Sequence, residues 1–530
     1  MTDFLAAIGY QGWALTALLV LPVLGALAVA VAPARAARGL ALATTLAEFV
    51  LSLGLWWAYD PAGPSMQFLA EAPWINDWGI AYRVGLDGIS LFMVLLSTGL
   101  MPLAVLGGWT SITDRPRAYY AFLLTLLTGM LGVFLALDLF LFYVFWEVML
   151  IPMYFIIGIW GGANRLYAAI KFFVYTFAGS LLMLVAILVM VWRTAATTGV
   201  TSFAYDHLLE HAGGMGSAAP WLFAAFAIAF AIKVPVVPFH TWLPDAHTEA
   251  PTAGSVILAG VLLKMGAYGF LRFAVPFFPE VALGPTVTTI AVALAVTGII
   301  YGALVALVQP DVKRLVAYSS VSHLGFVMLG IWALSLQGVQ GALMVMIGHG
   351  LSTGALFFLI GMLYDRRHTR QLADYGGIAR VMPLYAAIFV VTALASVGLP
   401  GLNGFVGEFL VLLGSFPRHG VATAVATTGV IFAAAYLLVA VQRLFYGPLD
   451  KEANRGLTDL SRRELAVLLP LVAGMVWLGL YPKPVLDRME PSARAYLEQV
   501  HRRLPAVPEP EAPPPPSPHA ALPQGGEAVQ

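Results

Sequence analysis

The chain has no cysteine and no excess of either charge: 28 Lys and Arg balance 28 Asp and Glu in 530 residues, and charged residues are 11% of the whole. Without thiols there can be no disulfide, no cysteine nucleophile and no thiolate-held iron–sulfur cluster. Balanced charge gives no electrostatic case for nucleic acid or an acidic ligand. A G-x-x-x-x-G-K-[ST] phosphate loop is missing, and Gly401-Leu-Asn-Gly404-Phe-Val-Gly407 has neither the dinucleotide spacing nor a strand before it. The short alternating segments of a β-barrel are also lacking.

What is present is hydrocarbon. Hydrophobic residues make up 60% of the chain, with a mean hydropathy of +0.84, more apolar surface than a water-soluble domain can bury. Runs of about 20 apolar residues, long enough to cross roughly 30 Å of lipid as helices, fall near 12–32, 38–59, 86–109, 118–136, 138–160, 166–192, 220–241, 253–275, 285–308, 315–334, 339–364, 382–415, 421–446 and 463–481. The sequence therefore predicts an all-α polytopic membrane protein with about 14 transmembrane helices. Met1-Thr-Asp-Phe carries no positive n-region, so the first run is expected to stay as a membrane helix.

Two spans are interrupted alike. The seventh contains Lys233-Val-Pro-Val-Val-Pro-Phe-His240 and the twelfth Gly398-Leu-Pro-Gly-Leu-Asn-Gly404. Proline and glycine free backbone groups that lipid cannot satisfy, so such breaks normally face a protein-lined cavity. Each falls fourth in a block of five spans, and blocks with an odd number of crossings are inverted relative to one another; paired broken helices of this kind point to a transport site. Two independent packing kinks would be the plainer reading.

The predicted organisation is three N-terminal helices (1–117), a first inverted-repeat unit (118–275), a second (285–446), a single helix (463–481) and a Pro-rich disordered tail (505–530). Asp60–Val84, rich in Pro, Trp and Gly, suggests a small hairpin cap outside the membrane. Sixteen Lys and Arg fall in loops of one side, against four in the loops of the other, which puts both termini outside by the positive-inside rule.

Along the proposed path the titratable residues are Glu147, Lys233, Lys264, His323, His349 and Glu408. An ionised side chain at mid-bilayer costs about 2.5–3.5 kcal/mol on insertion scales, so such residues are paired or hydrated and mark ion pathways. A lysine in a low-dielectric site loses its proton more readily unless a carboxylate stands beside it, which makes a Glu147–Lys233 contact a switch for release towards Lys264. His323 and His349 can pass protons near neutrality, and Glu408 follows the second break. A buried Glu–Lys pair can also simply fix helix register, a membrane histidine can simply bond a carbonyl, and two histidines can hold a haem, although nothing else marks a haem pocket. His240, Asp245, His247 and Glu249 either admit protons or solvate a loop. Asp138 and Lys171 suit capping or snorkelling, and Glu48 has no role in this reading. With no fuel site in the chain, the work must come from an ion gradient or a partner.

Trp146-Glu147 through Tyr154, Lys233 through His247, Ala250 through Ser255 and Lys313 through Ser320 together resemble the antiporter-like membrane-arm subunits of respiratory complex I, the NADH:quinone oxidoreductase, of the M (chain 4) type, over about residues 80–450. The resemblance implies fourteen helices with two inverted five-helix repeats and two discontinuous helices. It implies a relay in which Glu147 and Lys233 serve one half-channel, Lys264 the centre and Glu408 the other half. Glutamate at 408, where related subunits and multisubunit sodium/proton antiporters usually carry lysine, fits the M type. So does the lack of a predicted long amphipathic helix after the fourteenth span. No cofactor is expected in this chain; flavin, iron–sulfur clusters and quinone would belong to partner subunits, and the partners would be other antiporter-like subunits and the lipid bilayer of a bacterial-type inner membrane. A cation/proton antiporter or membrane-bound hydrogenase subunit shares the implied fold, and a scaffold without an ion path is the remaining class.

Overall fold

The computed structural model describes residues 1–504, so the proline-rich segment 505–530 lies outside the described residues. In chain order the main helices are α1 (Tyr10–Val31), α2 (Ala34–Ala58), α3 (Gly88–Gly107), α4 (Pro116–Leu135), α5 (Leu139–Val148), α6 (Leu150–Trp160), α7 (Arg165–Thr198), α8 (Ala219–Lys233), α9 (Trp242–Glu249), α10 (Thr252–Phe277), α11 (Pro285–Leu307), α12 (Val312–Trp332), α13 (Leu336–Arg367), α14 (Pro383–Val397), α15 (Asn403–Phe445), α16 (Arg462–Leu480) and α17 (Lys483–His501). Among the described residues, thirteen helical stretches are long and apolar enough to cross a membrane.

The fourteenth crossing comes from dividing α15. At 43 residues it would run about 65 Å, twice the hydrocarbon thickness. Pro417 removes a backbone donor and His419 leaves helical geometry at φ −130°, ψ 46°, so the rod bends midway. Its first part completes the crossing begun by α14, and its second part makes the next. The two spans expected at 382–415 and 421–446 thus share one nearly continuous helix.

Burial grades from rim to centre. In α10 every residue of the most apolar stretch is enclosed, and in α12 and α13 94% are, against 28% in α2 and 39% in α11. Outer helices present Val, Leu, Ile and Trp outwards, as lipid-facing surfaces do, while the central helices carry the polar side chains.

Between α2 and α3 the chain folds into a hairpin, β1 (Gln67–Ile75) and β2 (Ile80–Leu86), antiparallel with Gln67 opposite Leu86 and Ile75 opposite Ile80. Arg83 on β2 pairs with Glu71 at 2.6 Å and Asp206 at 3.1 Å. Where the sequence reading expects no long amphipathic helix after the fourteenth span, Lys483–His501 forms the 19-residue amphipathic helix α17, which buries Val485, Met489, Ala493, Tyr496 and Val500. Its spacing of apolar residues was present, but frequent charges mask it in a hydropathy window. The hairpin and α17 share one end of the bundle, here termed the hairpin face.

Candidate functional site: a buried acid, amine and imidazole line

Five of the six charged or titratable residues singled out from sequence, Lys233, Lys264, His323, His349 and Glu408, are at most 5% exposed, and Glu147 is half-buried. None turns to lipid. Four of them meet. Lys264, on α10, donates to the carbonyl of Ala259 and lies 2.7 Å from His349 Nδ1 on α13. His323 on α12 places Nδ1 2.8 Å from Glu408 Oε1 on α15, and its Nε2 is 3.3 Å from the hydroxyl of Tyr436.

Local backbone chemistry explains the first contact. Leu258–Leu262 is a π-helical turn, whose wider ring loosens the ordinary hydrogen-bond ladder, as is common where a helix serves a site. It leaves the Ala259 carbonyl able to receive the ammonium of Lys264. The helices also come unusually close: a Cβ on Gly350 of α13 would stand 3.1 Å from the Gly260 carbonyl oxygen of α10. Two glycines at the crossing let the backbones approach, as small residues do between membrane helices.

A small cavity of about 10 Å³ joins the two pairs, lined by His323, His349, Ser352, Ser396, Gly404 and Glu408 among others. That is room for about one water molecule. The imidazole rings are 5.6 Å apart, centroid to centroid, and His349 Nε2 is buried with no hydrogen-bond partner among the described residues. When Lys264 is protonated, His349 Nδ1 accepts and its ring proton sits on Nε2, free to be handed on.

Both helix breaks stand beside this chemistry. α8 ends at Lys233, and residues 234–238 turn into a short 3-10 segment before α9. Beyond α14, Gly398 adopts φ +88°, a conformation costly to any residue with a side chain, and a Cβ there would lie 3.3 Å from Glu408 Oε2. The break packs its backbone against the second carboxylate oxygen.

Glu147 and Lys233 are not in contact. Among the described residues Lys233 makes no ion pair; its Nζ lies 3.5 Å from Met149 Sδ and over the rings of Trp146 and Phe172, at 5.4 and 5.7 Å. Aromatic faces stabilise a cation modestly. Glu147, at the end of α5 beside Ser180 and Tyr143, has Oε1 buried and unpartnered. Nor does any hydrogen bond join Lys233 to Lys264 in this arrangement.

The four residues expected in a loop after α8 divide, and Asp245, His247 and Glu249 lie in the short helix α9. Asp245 pairs with Lys171 at 2.7 Å and with Arg314 at 3.7 Å, so Lys171, assigned to snorkelling, is an ion-pair partner. Glu249 accepts from the Asn164 amide at 2.8 Å and ties the end of α9 to the start of α7. His247 is no solvated loop residue: it is fully buried, stacked 4.7 Å from Phe357, with both ring nitrogens unpartnered. Asp138 caps α5 as expected, accepting from Phe140 and Leu141 amides at 3.0 Å. Glu48 is wholly buried with neither oxygen bonded.

Sequence reasoning missed Tyr436, Met149 and the Ala259 carbonyl. Tyr436 is a lone hydroxyl in an apolar run, Met149 reads as core, and a freed carbonyl has no sequence signature. Haem ligation does not fit, since both ring nitrogens of His323 are engaged.

The family model described as "NADH:quinone oxidoreductase/Mrp antiporter, TM" matches residues 136–433. NADH-quinone oxidoreductase subunit M of Rhodobacter capsulatus is 49% identical, with 89% of this chain and 92% of that one covered. The subunit M of Pseudomonas aeruginosa is 46% identical over 85% of this chain and 90% of its own length. A chain of respiratory complex I from Thermus thermophilus with bound NADH superposes with a TM-score of 0.83 at 33% identity, covering 92% of this chain and 99% of that one. Charged groups enclosed by apolar helices, two broken helices and these likenesses converge: the chain belongs to the NADH:quinone oxidoreductase/Mrp antiporter family of membrane proteins.

Proposed function

We propose that this chain is a proton-translocating subunit of an NADH:quinone oxidoreductase, lying in a bacterial-type inner membrane beside other antiporter-like subunits, with both termini on the outer side. It carries no redox centre in this reading; flavin, iron–sulfur clusters and quinone work in partner subunits and drive it conformationally. The observation that carries the proposal is the enclosed line from Lys264 through His349 and a one-water cavity to His323 and Glu408. Each neighbour both donates and accepts, so a proton entering at one end can leave at the other.

Glu147 and Lys233 form the control step. Apart, as here, Lys233 rests on sulfur and aromatic faces without its counter-ion. The approach of Glu147 would give the Lys233 ammonium its counter-ion, and withdrawal removes it. Alternation between the two arrangements sends a proton towards Lys264, and the two-state element is the junction of α5 and α6 at Met149.

Proton translocation by the assembled complex in proteoliposomes tests this. Glu147→Ala and Lys233→Ala each lower it about tenfold, the effect of about 1.4 kcal/mol on a barrier; unchanged pumping in both variants contradicts the proposal. The family description also covers the Mrp antiporter. Copurification with flavin and iron–sulfur subunits favours the oxidoreductase, and sodium/proton exchange without them favours the antiporter.

A further inference from the structure

Beyond Ser255, α10 is apolar apart from Lys264, Tyr268 and Arg272, spaced four residues apart. Four residues advance a helix about 6 Å and return nearly to the same face, so the three backbone positions climb from the buried centre towards the hairpin face, although the Lys264 amine itself turns back to Ala259 and His349 and no hydrogen bond joins it to Tyr268 among the described residues. There Arg272 Nη2 meets Asp87 Oδ2 at 2.5 Å, with both side chains at most 9% exposed. Arg272 Nε donates to the Tyr268 hydroxyl at 3.1 Å, and that hydroxyl donates to the Phe134 carbonyl at 3.0 Å and lies 3.3 Å from Ser90 Oγ.

The pair also lines a cavity of about 730 Å³ beneath the hairpin and α17, where Ser492 and Tyr496 form part of the wall. An ion pair that merely fixed helix register would be packed on all sides. This one faces water-sized space on one side and a buried phenol on the other. The cavity beside Glu408 measures only about 10 Å³, so the larger open volume leads to α10. Arg272 lies within a second π-helical turn, Phe270–Ala274, a distortion able to change register without unfolding the helix.

We propose that Arg272 and Asp87 form a gate over a second exit from Lys264, with Tyr268 as its inner hydrogen-bond relay. The inference rests on proton conduction through Lys264. With the pair closed, the phenol is bonded inwards and the cavity is sealed from the centre. When the pair parts, water enters on both sides of Tyr268: its hydroxyl leaves the Phe134 carbonyl and gives its proton to a water on the cavity side while its oxygen takes a proton from a water on the Lys264 side, leaving the phenol unchanged. Asp87 Oδ1 caps α3 through the Ile89 and Ser90 amides, at 3.1 and 2.8 Å, and the Gly88 amide donates to Ser492 of α17 at 2.8 Å. Movement of α17 would therefore reach the gate directly.

The test is passive proton entry into proteoliposomes holding the intact complex, driven by a potassium diffusion potential without NADH. Asp87→Asn, which retains the cap but drops the charge, should raise entry about tenfold over wild type, Asp87→Glu should stay tight, and adding Tyr268→Phe to Asp87→Asn should remove most of the leak. A tight Asp87→Asn complex, or a leak untouched by loss of the phenol, overturns the gate. Should Asp87→Asn fail to assemble, Tyr268→Phe alone decides: it should be tight at rest and pump fewer protons per electron, and wild-type pumping overturns the proposal. Glu147→Ala, measured in parallel, reports separately on whether the subunit conducts protons at all.

Discussion

At the scale of single residues, charge in this molecule is governed by what stands within a few ångströms of it. Lys264 is solvated by a carbonyl that a π-turn released and by His349, whereas Lys233 has only sulfur and aromatic faces. The same side chain thus has two different settings on neighbouring helices. Tyr436 is the polar support that sequence inspection passed over, bonded to His323 from α15. A neutral hydrogen bond contributes about 1 kcal/mol, so Tyr436→Phe should slow proton translocation roughly fivefold while leaving the complex assembled, measured as the rate of internal acidification at saturating NADH. The identities of the six candidate residues were legible in the sequence because charge in a 20-residue apolar run is costly. Their pairing was not, since Lys264 and His349 are 85 positions apart.

At the scale of elements, broken and loosened helices place the chemistry. The breaks after Lys233 and Val397 were legible from Pro and Gly, which deny the backbone its ladder. The π-turns of α10 were not: Leu258–Leu262 contains only Leu, Ala, Gly and Val, residues that an ordinary helix accepts equally well. The division of α15 was read correctly as two spans, although Pro417 and His419 bend the rod instead of ending it. Gly350 marks the close crossing of α10 and α13. A valine there would press its Cβ to 3.1 Å from the Gly260 oxygen and into Leu96, an overpacking worth about 1–3 kcal/mol. Gly350→Val should separate Lys264 from His349 and reduce pumping at least tenfold, with a lower thermal midpoint for the purified complex; normal pumping would show that the contact is dispensable.

At the scale of the whole molecule, burial and charge are arranged concentrically. The three most enclosed helices, α10, α12 and α13, carry Lys264, His323 and His349, and the rim is apolar. A hydropathy reading finds the membrane helices but does not rank them by position, because α2 at the rim and α12 at the centre have the same hydropathy, 1.5, and packing separates them. It also passes over α17, whose charged face dilutes the apolar one. That helix buries Met489 and Tyr496 under the hairpin face, and truncating a residue of that size to alanine costs about 2–5 kcal/mol. Met489→Ala should accordingly loosen the hairpin face, seen as faster amide exchange in α17 and in residues 87–90, without altering the Lys264 environment. Exchange confined to α17 would indicate that the helix is not coupled to the start of α3.

The central claim is that protons pass through the enclosed line that Lys264 heads, and the number of protons moved per NADH oxidised measures it most directly. In proteoliposomes holding the complete complex, Lys264→Ala should lower that ratio below the wild-type value, and restoring an amine with Lys264→Cys alkylated by bromoethylamine should recover part of it. A Lys264→Ala complex that assembles, oxidises NADH and moves as many protons per NADH as wild type would contradict the account.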